Sequence, residues 1–225
     1  MIRKNNLDTG SALVLFSGGQ DSTVCLFWAL QKFTRIEAVC FSYGQRHSSE
    51  IGAAKAIAQK TGIAFRTVDL SVLSGLSANS LTDASIEMDR EQSGNLPPNS
   101  FVPGRNLLFI SVAAIIAREK GIANLVTGVS QADYSGYPDC RDDFIRSLNN
   151  TVNLAMDEQF VIHTPLMMLD KAQIWRLAEK LGVFDTVMNE TVTCYNGIPA
   201  MGCGSCPACK LRQRGLQKYQ SIPNS

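Results

Sequence analysis

Residues 12–22 read Ala-Leu-Val-Leu-Phe-Ser-Gly-Gly-Gln-Asp-Ser, and this stretch sets the expected fold. Its first five residues are apolar and are followed by Ser17 and two glycines, which is typical of a buried parallel strand. Over residues 22–33 the apolar positions then follow a helical spacing. A strand, a glycine turn and a helix in this order predict the first unit of an α/β sheet.

The same alternation continues along the chain. Strands are predicted at 36–43, 64–70, 124–127 and 161–164, and helices at 50–61, 106–120, 141–156 and 171–181. Strand–helix–strand repeats of about 30 residues imply right-handed crossovers and parallel strands. We therefore expect an α/β fold with an open parallel sheet of about five strands and helices on both faces.

Two segments break this pattern. Residues 71–103 are polar and rich in turn residues, so we interpret them as an inserted excursion of short pieces outside the core, of the kind that forms lids or binding segments. From Gly182 to the end no regular pattern is visible, and four of the seven cysteines lie there. These features predict an α/β domain over 1–185 and a small C-terminal metal-binding region over 186–225.

The composition limits the partners. Lys and Arg number 21 against 20 Asp and Glu, a net charge of +1, which argues against a polybasic surface for nucleic acid or membranes. The N-terminal apolar run, Ala12 to Phe16, is too short for a signal peptide or a membrane span. We expect a cytoplasmic protein that acts on small molecules and binds neither nucleic acid nor membrane. In a reducing compartment, clustered cysteines bind metal more often than they form disulfides.

The loop after the first strand has the chemistry of an anion site. Gly18 and Gly19 allow backbone amides to approach phosphates, the helix N-terminus adds a positive dipole, and Ser17 and Ser22 offer hydroxyls. Asp21 fits such a site if Mg²⁺ accompanies the phosphates. The loop is neither a Walker A motif nor a Rossmann fingerprint. A plain turn in which Ser and Asp cap the helix is the alternative interpretation.

Cys194, Cys203, Cys206 and Cys209 are spaced C-x8-C-x2-C-x2-C. Four thiolates at this spacing converge on one tetrahedral ion and leave no open position, which predicts one structural Zn²⁺ per chain. An iron–sulfur cluster is the alternative, because it is also held by four thiolates. The other three cysteines are scattered: Cys25 and Cys40 fall in predicted core elements, and Cys140 lies in a loop.

Further polar groups follow predicted strands or begin helices, where open α/β sheets bind ligands. Arg105 at a helix start could grip phosphate or carboxylate, or be an exposed turn residue. Lys171 could reach phosphates or be a solvated helix lysine. His47 could act in acid–base chemistry or cap the next helix. The loop 128–141 offers the carboxylates and aromatic rings that suit a guanine-like edge, although a plain turn loop is possible: Asp133, Tyr134, Tyr137 and Asp139.

With these motifs in order, the sequence resembles the QueC family of queuosine-pathway enzymes, within the PP-loop ATP-pyrophosphatase superfamily. The matching segments are FSGGQDSTVCL (16–26), YGQRH (43–47), VPGRN (102–106), TGV (127–129), DYSGYPDCR (133–141), TPLM (164–167), NETVTCYNG (189–197) and CGSCPAC (203–209). The S-G-G-x-D-S loop marks only the superfamily. DYSGYPDCR and the cysteine spacing are far more specific.

The resemblance implies a carbon–nitrogen ligase that uses Mg-ATP to convert 7-carboxy-7-deazaguanine and ammonia into 7-cyano-7-deazaguanine, and it suggests a homodimer. It places ATP on Phe16, Ser17, Gly18, Gly19, Gln20, Asp21, Ser22, Thr23, Val24, Cys25 and Leu26. We assign Asp21, Arg105 and Lys171 to catalysis, and the substrate to Arg105, Asp133, Tyr137 and Asp139. The sequence holds only two histidines and no glutaminase signature, so we expect free ammonia or an outside donor.

Two other functions compete with this interpretation. A PP-loop enzyme that thiolates tRNA would use the cysteines for persulfide or cluster chemistry and would need a basic face. A zinc-ribbon module could bind nucleic acid through a basic group after the last cysteine, formed by Lys210, Arg212, Arg214 and Lys218. The near-neutral charge balance and the compact cysteine cluster argue against the first. In the second, the basic residues more simply offset the charge of a four-thiolate site.

Overall fold

The computed structural model describes residues 7–46, 49–83, 85–87, 98–132 and 137–222. Its sheet has five parallel strands in the order β3-β2-β1-β4-β5. Their bounds are β1 Asp8–Leu15, β2 Arg35–Ser42, β3 Ala64–Asp69, β4 Ile122–Val126 and β5 Val161–His163. The chain first runs outward from β1 to β3, then returns to place β4 on the other side of β1. Ligands bind at such a switch point in open α/β sheets.

Seven α-helices occur among the described residues: α1 Gln20–Leu30, α2 Ser49–Thr61, α3 Arg105–Lys120, α4 Asp142–Met156, α5 Lys171–Lys180, α6 Phe184–Glu190 and α7 Pro207–Ser221. The sheet separates two apolar layers. One holds side chains of α1, α2, α5, α6 and α7, and the other those of α3 and α4. The predicted open parallel sheet with helices on both faces is confirmed.

The central strand β1 explains why both layers form. Ala12 and Val14 point into the first layer and Leu13 into the second, and all three are fully buried. Successive side chains of a strand point to opposite faces, so a strand buried on both sides reads as a continuous apolar run. This run ends at Phe16, where the backbone amide still donates to Val39 O at 2.8 Å before the glycine turn begins.

The prediction that residues after Gly182 lack regular structure is wrong. Helices α6 and α7 lie there, and α7 starts with Pro207 directly after Cys206, a favoured first position for proline. Leu216 of α7 and Val187 of α6 pack into the first apolar layer. The C-terminal region therefore packs against the sheet domain through apolar contacts.

The excursion at 71–103 contains short pieces as predicted, including a 3-10 turn at Ser71–Gly75. It is not wholly outside the core, however. Leu73, Leu81 and Val102 are buried together against Tyr43 at the end of β2. The excursion thus covers the carboxyl edge of the sheet with a small apolar cluster. Positions 84 and 88–97 lie outside the described residues.

Within the described part of the chain, no helix combines the length and the apolar character needed to cross a membrane.

Candidate active site and metal centre

The glycine loop between β1 and α1 packs directly on the start of α2. Gly18 has a φ of +83°, a region that favours glycine. A Cβ atom at this position would lie 2.5 Å from the backbone oxygen of Glu50 and 2.6 Å from the amide nitrogen of Ala54. Glycine at position 18 therefore serves both the turn and the close approach of α2.

The loop hydroxyls hold the turn in shape. Ser22 Oγ accepts from the Ser17 amide at 3.2 Å and lies 3.0 Å from Ser17 Oγ. The Gly19 carbonyl accepts from Thr23 N at 3.0 Å, so the first turn of α1 closes immediately after the glycines. Phe16, Ser17 and Ser22 line the cleft described below. Val24, Cys25 and Leu26 are fully buried in the core, where they support the loop from beneath.

The backbone amide of Gln20 has a hydrogen-bond partner, whereas its buried side chain has none among the described residues. Its backbone amide donates to Thr193 Oγ1 at 3.1 Å, which ties the loop to the C-terminal region. Its side chain is only 1% exposed, and neither amide atom has a hydrogen-bond partner among the described residues.

Asp21 and Lys171 meet beside the loop. Lys171 Nζ lies 2.6 Å from Asp21 Oδ2 and 2.8 Å from Asp21 Oδ1. The lysine side chain is 7% exposed and the aspartate side chain 29%. Lys171 is the first residue of α5, whose N-terminus is fixed by a capping box between Asp170 and Gln173. Lys171 is therefore buried against Asp21 and is not a solvated helix lysine, and its catalytic role stays a prediction.

A cleft opens at the carboxyl ends of β1 and β2. It encloses about 1020 Å³ of non-protein space, part of it open to solvent. Its lining includes Ser17 and Ser22 of the loop, Arg105 at the start of α3, Glu50 at the start of α2 and Tyr195 of the C-terminal region. Water-sized molecules can fill about 220 Å³ of this space.

Arg105 sits between two tyrosine rings. Its guanidinium carbon lies 5.8 Å from the ring centres of both Tyr43 and Tyr137, within the range of cation–π attraction. The rings hold the cation at the cleft wall, where it can meet a carboxylate or a phosphate.

Tyr137 and Asp139 lie behind Arg105 and are both nearly buried. The Tyr137 hydroxyl is 2.8 Å from Ser100 Oγ, and Asp139 Oδ2 accepts from the Asn106 amide at 3.0 Å. In this arrangement both residues support the start of α3. Their assignment as substrate-reading residues stays a prediction, and Asp133 and His47 lie outside the described residues.

Sequence reasoning missed Glu50 as a site residue. It follows a polar stretch and begins an Ala- and Lys-rich helix, so it reads as a solvated helix-start carboxylate. In the structure its side chain is half-buried in the cleft wall. Burial raises the pKa of Glu50 to about 7, and the positive charge of Arg105 partly opposes that rise.

The four predicted cysteines converge. Their Sγ atoms all lie within 4.8 Å of one another, compared with about 3.8 Å expected around a tetrahedral ion with Zn–S bonds of roughly 2.3 Å. Gly202 makes this convergence possible, because a Cβ atom there would lie 2.3 Å from Cys209 Sγ. The cluster therefore fits a metal ion held by four thiolates.

Hydrogen bonds favour the thiolate form of Cys203, the half-exposed member of this cluster. Burial by itself would raise the pKa of the Cys203 thiol, but donation from the Ser205 hydroxyl and from the backbone amides of Cys206 and Ser205 lowers it below its usual value. The Cys206 amide reaches Cys203 Sγ at 3.3 Å, at the N-terminus of α7. A helix N-terminus also stabilises negative charge.

The segment after α6 connects this cluster with the loop. Val192 N donates to the Gly18 carbonyl at 3.0 Å, while Thr193 Oγ1 accepts from the loop amide of Gln20. Thr193 Oγ1 also accepts from Arg212 Nη1 at 3.1 Å. Two residues beside the first cysteine thus hold the glycine loop in place.

Arg212 is buried at 1% exposed, although the sequence suggested a basic surface residue. Its guanidinium donates to Thr191 Oγ1 at 2.8 Å and to the carbonyl of Val187 at 2.7 Å, and it packs over the ring of Trp175. Lys218 also forms an ion pair, at 2.8 Å from Asp170. Arg212 is therefore not part of the basic nucleic-acid surface considered above, and Asp170 partly neutralises the charge of Lys218.

The three remaining cysteines are buried free thiols: Cys25, Cys40 and Cys140. Burial raises the pKa of Cys25, and it raises those of Cys40 and Cys140 to about 12, so all three stay protonated near neutrality. The prediction that Cys25 and Cys40 are core residues is confirmed. His163 lies at the sheet edge between Trp28 and Phe33, and burial lowers its pKa.

The sheet order and the S-G-G-x-D-S loop define a PP-loop fold, to which the four-cysteine cluster is added. A solved structure of a 4-thiouridine synthetase in complex with RNA and ATP shares this fold. It is 19% identical, has a TM-score of 0.51, and the match covers 94% of this chain and 54% of that one. The chain belongs to the family described as queuosine biosynthesis protein QueC, whose model matches residues 11–220.

Relatives in this family are similar along nearly their whole length. A protein of Bacteroides fragilis named 7-cyano-7-deazaguanine synthase is 63% identical over 95% of this chain and 98% of its own. One of the same name from Parabacteroides distasonis is 64% identical over 93% of this chain and 94% of its own.

Thr193 offers a direct test of the connection between the cysteine cluster and the loop. Thr193→Val keeps the shape of the side chain but removes the acceptor for the Gln20 amide and for Arg212 Nη1, which keeps its bond to Thr191 Oγ1. Loss of one such bond costs about 1 kcal/mol, so we expect the KM for ATP to rise about fivefold with kcat little changed. Thr193→Ser retains the hydroxyl and is the matched control. Steady-state kinetics with metal content measured in parallel checks this, and equal KM values in the two variants would contradict it.

Proposed function

We propose that this chain is a carbon–nitrogen ligase, a 7-cyano-7-deazaguanine synthase of queuosine biosynthesis. The observation that carries the proposal is the 63% identity to relatives of that name over nearly the full chain. The cleft supports it, because the glycine loop, Arg105 and Glu50 line the same space at the switch point of the sheet.

The reaction needs two activations. A carboxylate is a poor electrophile, so one of its oxygens must first become a leaving group, and adenylation by ATP does this. Ammonia then displaces AMP and gives an amide. Conversion of the amide to a nitrile removes the second oxygen, which a second adenylation turns into a leaving group. We infer that one cleft carries out both activations.

The side chains divide this work as follows. The amides of the loop and the hydroxyls of Ser17 and Ser22 bind the ATP phosphates, at the N-terminus of α1. Arg105, held by two tyrosine rings, binds the substrate carboxylate. Lys171 neutralises charge on the phosphates during attack, and Asp21 keeps it in position.

Mg²⁺ would be held by the Asp21 carboxylate together with the ATP phosphates, where it neutralises phosphate charge. Recognition of the deazaguanine ring is assigned to Asp133, Tyr137 and Asp139. For Tyr137 and Asp139 the support is their position directly behind Arg105.

The metal of the cysteine cluster is proposed to be one structural Zn²⁺. Four sulfur ligands complete a tetrahedral shell and leave no site for substrate. The connections from Thr193 and Arg212 to the glycine loop give the ion a role in ordering the ATP site.

We further propose that the enzyme uses free ammonia or an outside donor, acts without nucleic acid and works as a homodimer in the reducing cytoplasm. The balance of 21 basic and 20 acidic residues supports the absence of nucleic acid. The three buried free thiols suit a reducing compartment. Exposed apolar side chains on α3 and α4, Ile115 at 53% and Leu154 at 85%, support a contact between copies.

Mass spectrometry of the products tests the function. Purified protein is incubated with ATP, ammonium and 7-carboxy-7-deazaguanine, with each omitted in turn as a control. We expect 7-cyano-7-deazaguanine, AMP and pyrophosphate only in the complete mixture. Release of ADP, or incorporation of sulfur into tRNA in place of nitrile formation, would contradict the proposal.

A further inference from the structure

Glu50 stands out among the side chains of the cleft because no role has been assigned to it. Its backbone oxygen is packed against Gly18, so the residue is fixed beside the phosphate-binding loop. Its side chain lines the same cleft as Arg105. It forms no hydrogen bond and no ion pair with any residue that the structure describes.

An unpartnered carboxylate in a cleft wall is costly unless a ligand uses it, because burial disfavours its charged form. Arg105 lines the same cleft, and its positive charge partly opposes the rise in the pKa of Glu50. Under the proposed function, Arg105 binds the carboxylate that reacts. Glu50 then lines the same cleft as the carbon that ammonia attacks.

Ammonia reaches the cleft mainly as ammonium, because its pKa lies well above neutrality. Ammonium has no free electron pair and cannot attack an acyl adenylate until it loses a proton. A base beside the reacting carbon is therefore required. Of the two histidines, His163 lies at the opposite edge of the sheet, and position 47 lies outside the described residues.

Resting on the proposed function, we propose that Glu50 is a further catalytic residue, the general base that takes a proton from ammonium in the cleft. The freed electron pair of nitrogen forms the bond to the carboxyl carbon. The bond from that carbon to the adenylate oxygen breaks, and its electron pair leaves with AMP. The nitrogen then releases a second proton to solvent, which gives the neutral amide.

The surroundings of Glu50 suit this task. The titratable and charged groups that line the cleft with it are Cys40, Tyr43, Arg46, Arg105 and Tyr195, beside the metal-site residue Cys194. Burial raises the pKa values of Cys40, Tyr43 and Tyr195, so these three stay neutral, while the arginines stay cationic. Glu50, with a pKa of about 7, changes charge near the working pH, as an efficient general base does.

The test compares wild-type protein with Glu50→Gln and, as a control, Glu119→Gln on the exposed side of α3. Three rates are measured: ATP–pyrophosphate exchange that depends on 7-carboxy-7-deazaguanine, nitrile formation from ammonium at pH 7, and hydroxamate formation from hydroxylamine. Hydroxylamine is already unprotonated at neutral pH and needs no base.

We expect Glu50→Gln to retain exchange and hydroxamate formation and to lose nitrile formation by about 100-fold or more. Glu119→Gln should match wild type in all three. At fixed total ammonium the wild-type rate should level off above pH 7, where Glu50 is ionised, whereas the rate of Glu50→Gln should keep rising about tenfold per pH unit with the free ammonia.

The variant should fold. The pKa of Glu50 is higher in the folded protein than the usual 4.5, so the folded state favours the protonated form, and its stability falls as pH rises from about 4.5 towards 7. Removing the charge should therefore leave the melting temperature at pH 8 equal to or above that of wild type.

Two results would overturn the inference: wild-type nitrile formation by Glu50→Gln, or an equal loss in all three assays, which would make the residue a binding or structural one. If wild-type protein catalyses the exchange but makes no nitrile, the proposed function itself fails.

Discussion

Asp21→Ala is expected to lower kcat about 10³-fold and to leave the protein folded. The carboxylate contacts Lys171 Nζ at 2.6 and 2.8 Å, in the first turn of the helix that follows the glycine loop. The substitution removes the carboxylate that positions Lys171 and that, in the proposed function, lies beside the ATP phosphates. Steady-state kinetics with far-UV circular dichroism measures both parts of the expectation.

Asp21 and Lys171 should contribute to kcat as one unit. Lys171→Met should cost about as much kcat as Asp21→Ala, and the double variant should lose no more than either single variant, because groups that act together are not additive. Asp8→Ala, an exposed carboxylate at the opposite end of β1, is the matched control and should keep wild-type activity. Near-normal turnover by Asp21→Ala would contradict the assignment.

Cys206→Ser should abolish metal binding and lower the melting temperature by at least about 10 °C. Structural zinc sites contribute several kcal/mol to folding, and each kcal/mol shifts the melting temperature of a chain this long by about 2–4 °C. Since the cluster also fixes Val192 and Thr193 against the glycine loop, the KM for ATP should rise.

The measurement is metal content by plasma mass spectrometry, with labile sulfide assayed in parallel. Wild-type protein should hold one zinc per chain and neither iron nor sulfide, and Cys140→Ala should hold the same amount of zinc. Iron with labile sulfide would contradict the zinc assignment. Zinc retained in Cys206→Ser would contradict the four-thiolate site.

The strands and the first five helices could be predicted because their apolar residues alternate with glycine turns. Helix α7 could not be predicted in this way. Its buried side is formed by Cys209, Arg212, Gly215 and Leu216, which follow a helical spacing but are mostly not apolar. A pattern based on hydrophobicity alone misses a helix that buries a cysteine and a guanidinium.

The metal centre and the glycine loop could be predicted because their residues lie close together in the sequence. The partners of that loop could not. Thr193 contacts Gln20 across 173 positions, and the proximity of Glu50 to Gly18 arises only when α2 packs on the loop. Contacts of this kind depend on how the helices are arranged around the sheet.

The central claim is that one cleft activates both oxygens of the substrate carboxylate in succession. The direct measurement is oxygen-18 tracing with 7-carboxy-7-deazaguanine labelled at both carboxylate oxygens. The proposed mechanism predicts two AMP for each nitrile, each carrying one labelled oxygen on its phosphate. Unlabelled AMP, or labelled oxygen released as water or phosphate, would contradict it.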